Sequence, residues 1–255
     1  MLEGIQTGYE AEYDFPHRRY RPERVYMLAS VPRSGSTFLS HLLWQSGCLG
    51  APLEYLNFLS TGPYSFASGS PEKQIELWRS ALHQRTSPNG VFGAKCFPLQ
   101  LRELQQDNPA LLLEVINTLL PGSTTPRVVR LKRRDTDSHA ISFARAALSG
   151  IWRKEQEAIA GATVEYSEEA VDHARELLKH QETEWDRLFG ELAIQPLTLW
   201  YEDVVEQPER AVGSVAAFLD VHLDAASAIV VPQVEKQSGS DSKRWAQRYA
   251  ASVKR

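Results

Sequence analysis

The sequence predicts an α/β protein: a single domain with a central, mainly parallel sheet flanked by helices. Three observations carry this. Short apolar or β-branched runs alternate with segments of helical period along the whole chain, the pattern of parallel strands joined by crossover helices. Residues 25–44 read as a buried strand, a tight turn and a helix in direct succession. No Gly/Ser/Pro-rich linker divides the 255 residues, whose 42% hydrophobic and 24% charged content is an ordinary globular balance. The chain therefore divides into an N-terminal arm, 1–24, and one domain, 25–255.

The elements follow in order. The arm sets Tyr9, Tyr13, Phe15 and Tyr20 among charges and is expected to be extended and partly packed. The first strand–turn–helix unit runs to about residue 46, with Gly47 as its stop. Residues 50–70, rich in Gly, Pro, Ser and aromatics, predict a long loop whose rings Tyr55, Phe58, Tyr64 and Phe66 have faces available for sugars. A helix is expected over 72–85, a short strand carrying Lys95 over 91–97, and helix again over 99–120, interrupted at Asn108-Pro109. A turn at 123–126 leads into a strand at 127–131. The next helix starts between Asp135 and Ser138 and turns Ile141, Ala144 and Leu148 to the core. Residues 167–189 form the best amphipathic helix, with Val171, Ala174, Leu178, Trp185 and Leu188 on one face. A last strand at 197–201 and a helix at 209–219 follow.

The turn Val31-Pro-Arg-Ser-Gly-Ser-Thr37 carries one glycine (Gly35), one cation (Arg33) and three hydroxyls (Ser34, Ser36, Thr37). Backbone N–H groups at such a helix start form an anion cradle, and the helix dipole favours negative charge there. The pattern predicts a site for the phosphate or phosphosulfate end of a nucleotide. It lacks the G-K-[ST] of an NTP-hydrolysing loop, since Ser36 follows Gly35 and no lysine lies between 25 and 44. The planar guanidinium of Arg33 can hold two anion oxygens at once. The plainer alternative is a Ser/Gly-rich turn with a surface arginine. A second segment, Lys132-Arg-Arg134, ends the 127–131 strand with three cations. Ser142 follows Arg134 by about two helical turns, so both can lie on one side and suit a phosphate dianion. A basic strand end with a helix-capping Asp135 is again the plainer reading.

Together these segments resemble bacterial carbohydrate sulfotransferases that use 3′-phosphoadenosine 5′-phosphosulfate (PAPS), a family represented by mycobacterial enzymes. The resemblance rests on Pro32-Arg-Ser-Gly-Ser-Thr37, on Arg134 with Ser142, and on Gly50-Ala-Pro-Leu-Glu54 and Asn89-Gly-Val-Phe-Gly-Ala-Lys95. It continues through Gly150-Ile-Trp-Arg153, Tyr201-Glu-Asp-Val204 and a late stretch from Lys236-Gln237 to Tyr249. It implies a P-loop-kinase-like sulfotransferase fold. It also implies PAPS as donor co-substrate, no metal, and a sugar or glycolipid acceptor attacked in line. Arg33, Ser34, Gly35, Ser36 and Thr37 would hold the phosphosulfate, and Arg134 with Ser142 the 3′-phosphate. Glu54 would be the base, with His41 as its rival; Lys95 would stabilise the sulfuryl group or bind acceptor. Trp245 and Arg248 would cover the nucleotide, and the protein would form a homodimer. Three positions depart from the family's usual residues: Ala51 for Glu, His139 for Gln, and Lys236 for Arg. These are read as bearing on the acceptor rather than the donor.

Composition narrows the classes. A net charge of −4, from 28 basic and 32 acidic residues, speaks against a nucleic-acid partner. Two cysteines, Cys48 and Cys96, make no disulfide framework and suit a reducing, cytoplasmic setting. No Cys/His spacing suggests structural zinc. No run approaches the roughly 20 apolar residues of a transmembrane helix, and no signal peptide is expected. The competing functions are a kinase-like nucleotide-binding protein and a catalytically silent homologue that keeps the pocket.

Overall fold

The structure, a computed structural model, describes residues 7–16, 21–122, 124–152, 164–234 and 240–252. Tyr20, Ser123, Arg153, Lys236 and Gln237 lie outside them. Four strands form the sheet: β1 (Arg24–Ala29), β2 (Val91–Cys96), β3 (Val128–Lys132) and β4 (Leu197–Trp200). Their spatial order is β2-β1-β3-β4 and every pairing is parallel. All four carboxyl ends therefore reach one edge of the sheet, where open α/β sheets bind ligands.

Around the sheet lie α1 (Ser36–Gln45), α2 (Pro71–Gln84), α3 (Pro98–Asp107), α4 (Pro109–Leu119), α5 (Thr136–Ser149), α6 (Glu168–Glu191), α7 (Tyr201–Glu206), α8 (Pro208–Phe218) and α9 (Ser240–Ser252). Local chemistry sets their ends. Pro71, Pro98, Pro109 and Pro208 each open a helix, where a missing N–H costs nothing. Asn108 ends α3, and its Oδ1 accepts the Leu111 N–H to cap α4, which explains the predicted interruption. Asp135 and Ser167 cap α5 and α6 in the same way, through the Ser138 and Ala170 N–H groups.

Strand alternation divides the core. Met27, Ala29 and Phe92 face a cluster with Trp78 and Trp185, while Tyr26, Leu28 and Val129 face Leu39, Leu43 and Val215. A third cluster joins α5, α6 and α9 through Ile141, Ala144, Val171, Ala174, Trp245 and Tyr249. Full burial of each large side chain stabilises by about 1.5–3 kcal/mol. The arm is clipped down by Arg85, which donates to the carbonyls of Gly8, Glu10 and Tyr13 and pairs with Asp14 at 3.1 Å.

Several expectations change. Leu148 is exposed, while Ala146 in the same last turn of α5 is buried. Tyr201 opens α7 instead of closing β4. Tyr55 and Phe58 are buried in the core, whereas Tyr64 is half-buried and Phe66 exposed. Trp245 packs edge-on against Tyr166, over whose ring Arg248 lies.

Candidate active site

β1 delivers the chain to the carboxyl edge at Ala29, and the loop 30–35 turns there into α1. Two residues in the loop have left-handed backbone. Gly35 has φ 89° and a Cβ there would come within 2.2 Å of the Tyr201 ring, so both its conformation and its neighbour require glycine. Arg33 has φ 66°, which costs a non-glycine residue about 1–2 kcal/mol.

Neighbouring segments hold Arg33 in that state. Its Nε donates to Ser142 Oγ at 3.1 Å and its Nη1 to the Trp152 carbonyl at 2.7 Å. Arg133 Nη1 donates to the Arg33 carbonyl at 3.4 Å. One residue earlier, the Pro32 carbonyl lies 2.9 Å from His139 Nε2. A carbonyl can only accept, so Nε2 carries the proton. Burial pushes the His139 imidazole down to about 4, and the charges of Arg133 and Arg33 push the same way. The departure at His139 thus packs against the 31–37 loop.

Across the loop lies a chain of polar contacts. The segment after Gly50 runs beside β2, with a parallel bridge between Leu53 and Ala94 and the Lys95 N–H donating to Leu53 O at 3.0 Å. This brings Glu54 beside Lys95. Lys95 Nζ is 2.8 Å from Glu54 Oε1 and 3.0 Å from Thr37 Oγ1. Glu54 Oε2 accepts from Asn57 Nδ2 at 2.8 Å, and the Glu54 N–H donates to the Tyr9 hydroxyl at 2.9 Å. Lys95 is 1% exposed and the Glu54 side chain 17%, so the carboxylate has the open side. Lys95 is therefore a buried bridge rather than a solvated strand-end lysine.

The second anion segment is arranged differently from its sequence reading. Ser142 faces Arg33 rather than Arg134. Arg134 lies over the Trp200 ring and forms a two-pronged pair with Asp203 at 2.6 and 2.7 Å. The hydrogen bond from Arg134 holds the Asp203 carboxyl below its usual value. Glu202 accepts the backbone N–H groups of Arg134 and Asp135. Arg133 lies over Tyr201, makes no ion pair among the described residues, and leaves its Nε buried without a hydrogen-bond partner. Ser34 is fully buried, as is its unpartnered hydroxyl, so it contributes backbone rather than Oγ to the loop surface. His41 is buried against Trp44 with Nδ1 on the Pro232 carbonyl, in a structural setting. The sequence gives no site role to Arg133, Asn57 or Tyr9, and it reads His139 as bearing on the acceptor; the three-cation run is the one signal that points to Arg133.

Fold and site define an α/β protein with a strand-to-helix glycine loop at the carboxyl edge of a parallel sheet and an ion-paired carboxylate beside it. The chain belongs to the Stf0 sulphotransferase family, whose model matches residues 25–252. It is 30% identical to the trehalose 2-sulfotransferase of Mycobacterium tuberculosis, over 92% of this chain and 97% of that one. It is 26% identical to the trehalose 2-sulfotransferase of Mycolicibacterium smegmatis, over 91% and 96%. A solved sulfotransferase domain from the curacin biosynthetic pathway aligns with a TM-score of 0.49 at 14% identity, over 91% of this chain and 99% of that one. Among the described residues, no helix is long and apolar enough to cross a membrane.

Proposed function

We propose that this sulfotransferase moves the sulfuryl group of PAPS to a hydroxyl of a carbohydrate or glycolipid acceptor, in the cytoplasm. The observation that carries the proposal is the continuous contact from Glu54 through Lys95 to Thr37 in the first turn of the anion loop. PAPS supplies the sulfuryl group and departs as adenosine 3′,5′-bisphosphate. Arg33, the N–H groups of Ser34 to Thr37 and the hydroxyls of Ser36 and Thr37 bind its 5′ end. Arg134 and Ser142, with Arg133 added, bind the 3′-phosphate; Arg134 must then exchange Asp203 for the ligand.

The rest follows from charge. Glu54 takes the proton of the attacking hydroxyl, a role worth roughly 10²–10⁴ in rate. Lys95 sets a positive charge between that proton transfer and the loop where the leaving phosphate gains charge. The mycobacterial relatives, both trehalose 2-sulfotransferases, point to trehalose as the first acceptor to try. The test is mass spectrometry of reactions containing PAPS and trehalose, other disaccharides or glycolipids. A sulfated product dependent on Glu54 supports the proposal, and its absence with every acceptor sinks it.

A further inference from the structure

We infer that His139 is a positioning residue for the donor loop: its Nε2–H holds the Pro32 carbonyl and so keeps Arg33 in the left-handed conformation that aims its guanidinium at the anion site. The inference rests on the donor reading above for its consequence, but not for its geometry.

His139 and Ser142 are three residues apart on α5, so they share one helix face, and both face the loop. His139 takes the carbonyl before Arg33, Ser142 takes the Arg33 side chain, and Arg133 takes the Arg33 carbonyl. The strained residue is gripped on its preceding peptide, its own carbonyl and its side chain. Proline at 32 has no N–H, so its carbonyl is the one backbone hydrogen-bonding group residue 32 offers. His139 is 5% exposed, and water does not readily replace it. A neutral imidazole donates one hydrogen bond without adding a third positive charge between Arg33 and Arg133, as a lysine would. The bond depends on reach. Glutamine carries an N–H at the same remove from the backbone as Nε2, asparagine carries it one bond shorter, and leucine carries none.

The experiment compares wild type with His139→Gln, His139→Asn and His139→Leu, all in the full chain. Calorimetry with adenosine 3′,5′-bisphosphate reads the donor site. Amide NMR of Ser34, Gly35 and Ser36 without ligand reads the loop itself. The inference expects His139→Leu and His139→Asn to weaken bisphosphate binding about tenfold, the effect of orphaning one buried acceptor. It expects the three amide resonances to move in both variants, and His139→Gln to restore affinity and resonances together. Folded His139→Leu protein with wild-type resonances and affinity would overturn it, as would His139→Gln behaving like His139→Leu. If wild type fails to bind the bisphosphate, the donor reading falls, and the resonances alone decide whether His139 sets the loop.

Discussion

Lys95 Nζ sits 2.8 Å from Glu54 Oε1, a buried ammonium bound to a carboxylate that is partly exposed. The pair has two separable consequences. Glu54→Gln keeps the shape but removes the proposed base, and its amide oxygen can serve only one of the two donors, Lys95 Nζ and Asn57 Nδ2, that the carboxylate accepts from. Turnover should fall by at least about 100-fold, while calorimetry shows bisphosphate affinity within a few-fold of wild type. Equal loss of both would mean that Glu54 only shapes the site.

Lys95→Met leaves the Glu54 carboxylate without its charge partner. Removing one member of a buried pair costs about 3–5 kcal/mol, moderated here by the partial exposure of Glu54. Urea unfolding should show a loss near 3 kcal/mol, and the double variant Lys95→Met with Glu54→Gln should recover part of it. Additive losses would contradict the coupling.

Gly35→Ala meets two obstacles, the φ of 89° and the Tyr201 ring. We expect a stability loss of about 3 kcal/mol. Combining it with Tyr201→Ala should relieve the clash but leave the backbone cost of about 1 kcal/mol. No relief in the double variant would show that the ring contact is not what excludes a Cβ.

The strand–loop–helix unit at 25–45 was legible because its signals are local: an apolar run, a glycine and a helical period in sequence. The helix break at Asn108 and the helix start at Asp135 were legible for the same reason, since capping is decided within a few residues. The Glu54–Lys95 pair depends on the Leu53–Ala94 bridge, a pairing between distant segments that no spacing shows. The same holds for Ser142, which α5 turns toward Arg33 while α7 supplies Asp203 to Arg134. The rings of Tyr55 and Phe58 share the composition of a sugar-binding loop but fill the core, because packing rather than residue type decides exposure.

Acid should destabilise the protein through His139. Its folded value of about 4 lies below the usual 6.5, so the unfolded chain binds the proton more readily. Stability is therefore full above about pH 6.5 and falls as pH drops toward 4; at pH 5 the loss is roughly 2 kcal/mol. Urea unfolding between pH 7 and 5 should show this, and His139→Gln should flatten that part of the profile. An unchanged profile would contradict a neutral, buried His139.

The 3′-phosphate assignment is tested by selectivity. Arg134→Ala should lower affinity for adenosine 3′,5′-bisphosphate about tenfold or more while leaving AMP binding unaltered. Asp203→Asn, which weakens the hold on Arg134, should leave bisphosphate affinity the same or tighter. Arg134→Ala weakening both nucleotides equally would remove it from the 3′ site.

The central claim is that the loop 31–37 holds a PAPS-type donor. Thermal stabilisation by adenosine 3′,5′-bisphosphate, with ATP–Mg²⁺ and ADP as controls, tests it most directly. A ligand at 100 times its Kd adds about 2.7 kcal/mol, a readily visible shift in Tm. Stabilisation by the bisphosphate and not by the controls is the predicted result; stabilisation by ATP–Mg²⁺ alone would contradict the account and favour a kinase-like protein.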